Sequence, residues 1–126
     1  MIFLSVEEII SLHEKMINTT GGSHGLRDYN LLESAAFNAM GSYGGQELYP
    51  SVEEKSARLM FALTKNHAFA DGNKRIGVFV MLMTLQLNGK TIVYSQQELI
   101  QFGLSVADGS FSYDDILLWI LSHLKE

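Results

Sequence analysis

Apolar and polar positions along the chain follow a helical period, interrupted by short runs of glycine, serine and acidic residues. Ser5-Val6-Glu7-Glu8 has the form of a capping box. In such a box a hydroxyl at the N-cap and a carboxylate three residues later each accept the other's backbone N–H. Ile9, Leu12, Met16 and Ile17 follow at helical spacing, which predicts a first helix to about Thr19. Gly21-Gly22-Ser23-His24-Gly25 breaks it, and Asp28 suits the N-cap of a second helix with Leu31, Leu32, Ala35, Ala36 and Met40 inward. Gly41-Ser42-Tyr43-Gly44-Gly45 is a further break that runs to Pro50, the one proline; it is either a mobile flap or a long connection. Ser51-Val52-Glu53-Glu54 repeats the box and opens a third helix carrying Ala57, Leu59, Met60, Phe61 and Leu63, ending near Asn66. The apolar run Ile76–Leu87, polar only at Thr84 and Gln86, predicts a buried fourth helix closed by Asn88-Gly89. Thr91–Tyr94 is β-branched and aromatic, which suits a short extended piece. Ser95-Gln96-Gln97-Glu98 then opens a helix with Leu99, Ile100, Leu104 and Val106. Asp108-Gly109 makes a turn, and Ser112-Tyr113-Asp114-Asp115 caps a last helix bearing Ile116, Leu117, Trp119, Ile120 and Leu124.

Five or six helices, no alternating strand runs and no long loop predict an all-α fold. It is a compact single-domain helical bundle over residues 1–126, built around a central buried helix that starts near Asn73. Composition agrees: 47% apolar and 18% charged residues suit a globular core. The net charge of -5 provides no global basic field to draw nucleic acid or an anionic membrane, so neither is an expected partner. Anion binding would need a local site. The absence of cysteine excludes disulfides, thiol catalysis and thiolate metal sites, and fits a reducing compartment. Met1–Val6 lacks a basic n-region and is followed by Glu7 and Glu8, unlike a secretory signal. Ile76–Leu87 is too short to span a bilayer. A soluble cytoplasmic protein is the expectation.

The candidate chemistry lies in His67-Ala68-Phe69-Ala70-Asp71-Gly72-Asn73-Lys74-Arg75. The first N–H groups of a helix have no internal partner and carry partial positive charge, which makes the helix start near Asn73 a ready anion site. Gly72 lets backbone approach a ligand closely. Lys74 and Arg75 stand in the first turn, where the dipole disfavours cations and the other helices carry acids. Such a local conflict points to function, and the pair suits a polyphosphate, with Arg75 binding two oxygens and Lys74 acting as a point charge. As an exposed cation, Arg75 is expected to contribute little to stability. A carboxylate beside phosphates, here Asp71, is the usual single protein ligand of a hydrated Mg²⁺. His67 can take a proton from an attacking hydroxyl near neutral pH. Phe69 is expected to anchor the loop, and Asn73 to be an N-cap, a phosphate donor, or both. Two other readings stay open: a structural histidine with a solvated Lys-Arg face, or His67 and Asp71 as two ligands of a transition metal. His13, His24 and His123 show no spacing that would complete such a site. His13 is expected to be structural or at the surface rather than catalytic, and His24 and Arg27 to be solvated or to approach a ligand from their loop.

The stretch His67-x-Phe69-x-Asp71-Gly72-Asn73-Lys74-Arg75 resembles the signature of the Fic/Doc superfamily, His-x-Phe-x-(Asp/Glu)-(Gly/Ala)-Asn-(Gly/Lys)-Arg. Gly25-Leu26-Arg27-Asp28, Leu32-Glu33-Ser34-Ala35, Tyr49-Pro50-Ser51-x-Glu53-Glu54-Lys55 and Leu87-Asn88-Gly89 resemble the short Doc (death-on-curing) branch. The likeness covers nearly the whole chain as a single Doc-like (Fido) domain. The AMP-transferring branch typically has Gly at the position of Lys74, a second Arg at that of Val78 and Pro at that of Ala68. The resemblance therefore implies the toxin of a type II toxin-antitoxin system, transferring the γ-phosphate of ATP to a hydroxyl of elongation factor Tu and arresting translation. It implies His67 as general base, Asp71 as Mg²⁺ ligand, and Gly72, Asn73, Lys74 and Arg75 as the phosphate-binding set. It further implies a Phd-like antitoxin whose disordered segment folds as a helix into a groove of the toxin. AMP transfer to a protein hydroxyl is the alternative reaction. A catalytically silent partner-binding protein is the alternative of another class. The loop Gly41–Pro50 is the expected docking site for the target.

Overall fold

Hydroxyls and one carboxylate decide where the helices begin. The computed structural model describes residues 1–125, with the Tyr43 side chain outside the described residues. Helices α1 (Val6–Thr20), α3 (Val52–Asn66), α5 (Gln96–Ala107) and α6 (Tyr113–His123) each start with a complete capping box, from Ser5, Ser51, Ser95 and Ser112. Asp28 caps α2 (Tyr29–Met40) through the Leu31 N–H. Such caps contribute about 1 kcal/mol each. Helix α4 (Asn73–Leu87) differs, because its N-cap is Gly72 in the left-handed region and no side chain satisfies its first turn. The domain is all-α, as the periodicity predicts.

The core lies in two connected layers. Ile9, Ile17, Leu32, Ala35, Leu59, Leu63, Phe69 and Ile76 join α1 and α2 to one side of α3 and α4. Ala57, Met60, Met81, Leu85, Phe102, Val106, Ile116 and Ile120 join α5 and α6 to the other. The expected centre is thus shared. Helix α3 packs on α2, α4, α5 and α6, whereas α4 packs on α1, α3 and α5 and leaves Phe79 exposed on an open flank. Gly77 permits the α3–α4 seam, since a Cβ there would lie 2.6 Å from Thr64 Oγ1 and 3.2 Å from the Met60 carbonyl oxygen. This seam brings the end of α3 and the start of α4 together, and those are the two edges of the candidate stretch.

Two expectations are corrected, and on α5 the apolar positions divide. On α5 the buried large apolar residues are Phe102 and Val106, while Ile100 and Leu104 face outward. Helix α6 stops at His123, and Leu124 instead forms an antiparallel bridge with Ile92. The Thr91–Tyr94 segment is therefore extended as expected, with Val93 N–H on the His123 carbonyl at 2.8 Å. The glycine-rich break folds into a small hairpin, β1 (Ser42–Tyr43) on β2 (Gln46–Glu47). Gly44 and Gly45 turn it at φ of 58° and 82°, the positive pair that a tight hairpin turn requires. Buried Lys55 holds its base, with Nζ 2.9 Å from Glu47 Oε1 and donating to the Tyr49 carbonyl. Lys55 lies in the first turn of α3, about 18 Å along the helix from His67 at ~1.5 Å per residue. No helix among the described residues is long and apolar enough to cross a membrane.

Candidate active site

The stretch between α3 and α4 is a loop stitched down on every side. His67 ends α3 in the left-handed conformation (φ 53°, ψ 46°), the one non-glycine residue with positive φ among those described. Arg27 steadies this position from the α1–α2 connection, since its Nε and Nη2 both donate to the His67 carbonyl, at 2.8 and 2.5 Å. The backbone N–H groups of Arg27 and Asp28 donate to the Ala68 carbonyl, and that of Ala70 donates to the Gly25 carbonyl. Phe69 is 2% exposed and anchors the loop as expected. Asn73 reaches back four residues. Its Oδ1 accepts from Phe69 N–H and its Nδ2 donates to the Phe69 carbonyl, both at 3.0 Å. The N-cap expectation for Asn73 is therefore corrected. Gly72 holds that position, and both ends of the buried Asn73 amide close a ring on the loop.

His67, Asp71, Gly72, Asn73, Lys74 and Arg75 line one cleft of about 400 Å³, with Thr64 in its wall. The structure thus brings all the sequence-predicted site residues together. His67 is exposed, and its ring has no hydrogen-bond partner among the described residues, so it is free to meet a ligand. Asp71 Oδ2 accepts from Ser23 N–H at 3.0 Å and Oδ1 from Gly72 N–H at 2.8 Å. These backbone donors, Ser23 first and Gly72 second, hold the Asp71 carboxyl below the usual carboxylate range, with the Arg75 charge adding to them. It is ionised at neutral pH. Gly22 makes room for this contact, since a Cβ there would lie 2.6 Å from Asp71 Oδ2.

The two cations differ. Arg75 donates through Nη1 to Thr20 Oγ1 at 2.7 Å and to the Gly21 carbonyl at 2.8 Å, with Nη2 3.8 Å from Asp71 Oδ1. It is therefore not the solvated first-turn cation the sequence suggests, because it sits on the negative C-terminal end of α1. That contact relieves part of the conflict with its own helix dipole, and it ties α1 to α4. Lys74 has no carboxylate within ion-pair range among the described residues, and its stem lies against Gly103 of α5. Lys74 is the uncompensated charge of the cleft.

Among the described residues no group of three His, Asp or Glu side chains could hold a metal ion, so the transition-metal alternative lacks its third ligand. One ionised carboxylate, its side chain 45% exposed, fits a hydrated Mg²⁺ shared with phosphate oxygens. His13 is buried beneath the loop, and His24 lines a separate recess with it. Sequence reasoning missed the use of Arg27 and of Thr20. Both act through backbone or hydroxyl contacts that no spacing rule encodes. Lys74 and Arg75 also border a second, more apolar groove of about 380 Å³, lined by Val78, Phe79, Leu82, Leu99 and Ile100.

Residues 3–85 match the Fic/DOC family. The chain belongs to that family. Within it the likeness is to the Doc branch. Toxin Doc of Mycolicibacterium smegmatis is 38% identical over 69 residues, covering 55% of this chain and 53% of that relative. Protein kinase doc of Escherichia phage P1 is 29% identical over 116 residues, covering 92% of this chain and 90% of that relative. The family match takes in the whole stretch from His67 to Arg75, together with the segments that brace it, from α1 to nearly the end of α4. It leaves out α5 and α6.

Proposed function

We propose that this chain is a Doc-type toxin that transfers the γ-phosphate of ATP to a hydroxyl of elongation factor Tu and so arrests translation in the cytoplasm. One observation carries the reading. An unpaired imidazole, an ionised carboxylate, two cations and an uncapped helix N-terminus converge on a single cleft. The phage P1 relative is named a protein kinase, which supports phosphate transfer, as do Lys74 and Val78 in place of the Gly and Arg of the AMP-transferring pattern.

In this reading His67 accepts the proton of the attacking hydroxyl, whose oxygen forms the new bond to the γ-phosphorus while ADP departs with the bonding pair. Lys74 and Arg75 clamp the phosphate oxygens, joined by the free N–H groups of the α4 start. Phosphoryl transfer needs little else from a protein than this positioning and charge. Asn73 serves by holding the loop, with one amide N–H left over for a phosphate oxygen. Mg²⁺, held by Asp71, would neutralise phosphate charge. The apolar groove beside Lys74 and Arg75 suits the amphipathic helix of a Phd-like antitoxin, whose acidic residues would meet the two cations.

The test uses elongation factor Tu and ATP labelled at the α- or the γ-phosphate. Transfer of γ-label alone is expected, and transfer of α-label alone would replace the kinase reading with AMP transfer. His67→Ala is expected to lower the rate by about 10²–10⁴-fold. A His67→Ala chain as toxic to growing cells as the parent would instead support a silent partner-binding protein.

A further inference from the structure

We propose that His13 is a positioning residue for this site, gripping the peptide unit that aims the Asp71 carboxylate into the cleft. The inference rests on the reading of Asp71 as the Mg²⁺ ligand. His13 lies on α1, far from Asp71 in sequence, and is 2% exposed. Its Nε2 stands 2.7 Å from the Asp71 carbonyl oxygen. A carbonyl oxygen only accepts, so Nε2 carries the proton and donates. The face of the same ring stacks on Phe69 at 3.8 Å between centroids and 11° between planes.

The location of that hydrogen bond matters more than its strength. The Asp71 C=O and the Gly72 N–H are opposite ends of one planar peptide unit. His13 holds the first end, and the second donates to Asp71 Oδ1 at 2.8 Å. Turning this peptide plane would pull the N–H off the carboxylate and disturb Gly72, whose left-handed conformation starts α4 (φ 77°). One buried donor therefore fixes three things: the direction of the carboxylate, one of the two backbone donors that hold it, and the path of the chain into the first turn that bears Lys74 and Arg75. A leucine or phenylalanine would fill the same space without fixing any of them. Ligand-orienting partners of this kind typically change metal affinity or activity by about 10–100-fold when removed.

The test compares the full chain with His13→Phe, which keeps an aromatic ring on Phe69 but lacks the donor, and His13→Gln, whose amide N–H restores one at similar reach. Two readouts are taken: the Mg²⁺ concentration for half-maximal transfer of γ-label, and the hydrogen-exchange rate of the Gly72 amide without nucleotide. His13→Phe is expected to raise both by at least about tenfold, leaving KM for ATP within about twofold. His13→Gln is expected to recover most of both. A folded His13→Phe chain with unchanged Mg²⁺ dependence and unchanged Gly72 exchange overturns the proposal. So does an equal loss in both variants that merely follows their melting temperatures, since that marks His13 as packing alone. Should the parent chain transfer no phosphate, the kinase reading falls by itself. Gly72 exchange then decides on His13 separately, an unchanged rate in His13→Phe overturning its role.

Discussion

Replacing Gly77 by alanine sets two known effects against each other at the seam that assembles the cleft. In an exposed helix the change would stabilise by about 1 kcal/mol, because alanine loses less backbone entropy on folding. Here the added Cβ would lie 2.6 Å from Thr64 Oγ1, 3.1 Å from Met60 Sδ and 3.2 Å from the Met60 carbonyl oxygen. The sulfur can yield, and the Thr64 hydroxyl can rotate only by giving up its contact with Met60 Sδ at 3.1 Å. The carbonyl belongs to the α3 backbone and moves only with the helix. Overpacking of this kind costs about 1–3 kcal/mol, so a net destabilisation of about 1 kcal/mol is expected. At ~2.1 cal/mol/K of unfolding entropy per residue, this lowers the melting temperature of the 126-residue chain by about 4 °C. Calorimetry measures it. Activity should fall several-fold in addition, because α3 delivers His67 while α4 delivers the cations, and a misplacement of ~1 Å can cost about 10²-fold. A Thr64→Ala partner removes the closest atom, so the double variant should be less destabilised than the sum of the singles by about 1 kcal/mol. A Gly77→Ala chain more stable than the parent, or strictly additive singles, would refute the seam as described.

Arg27→Met removes both donors from the His67 carbonyl. A loss of about 1 kcal/mol in stability is expected, consistent with hydrogen bonds from an exposed side chain, together with about a tenfold loss of transfer, checked by denaturant titration and steady-state kinetics. Arg27→Lys, with one donor in place of a fork, should fall between the two. Tyr113 gives a pH prediction: burial first, then the Glu54 charge, pushes its phenol up to about 12. Because the folded value exceeds the unfolded one of about 10, its contribution is intact below pH 10 and is lost as pH rises from about 10 towards 12. The late-titrating part of the phenolate absorbance should shrink in Tyr113→Phe, and the same variant should flatten the alkaline decline in stability.

Much of this chain was legible because helix boundaries obey local rules. Four serine-headed boxes and Asp28 mark five of the six helix starts, and each works through contacts within about three residues. The sixth start is placed near Asn73 by the apolar run that follows it, with Asn73 rather than Gly72 offered as its cap. The residues of the cleft were legible for the same reason, since His67 to Arg75 is a continuous stretch and folding leaves it as one loop and one turn. Face assignments inside a helix were less secure. Ile100 and Leu104 are as apolar as Phe102 and Val106, and only the packing of α5 on α3 and α4 decides which pair is buried.

What the tertiary structure alone decided is how the stretch is held and which of its charges remain available. Arg75 meets Thr20 across 55 residues of chain, Arg27 meets His67 across 40, and His13 meets Asp71 across 58. Each of these contacts joins a side chain to a backbone carbonyl or a hydroxyl, groups that nearly every residue or many residues carry, so no pattern of residue types announces them. The site's chemistry is written in nine consecutive residues, whereas its geometry depends on where α1 and the loop after it come to rest.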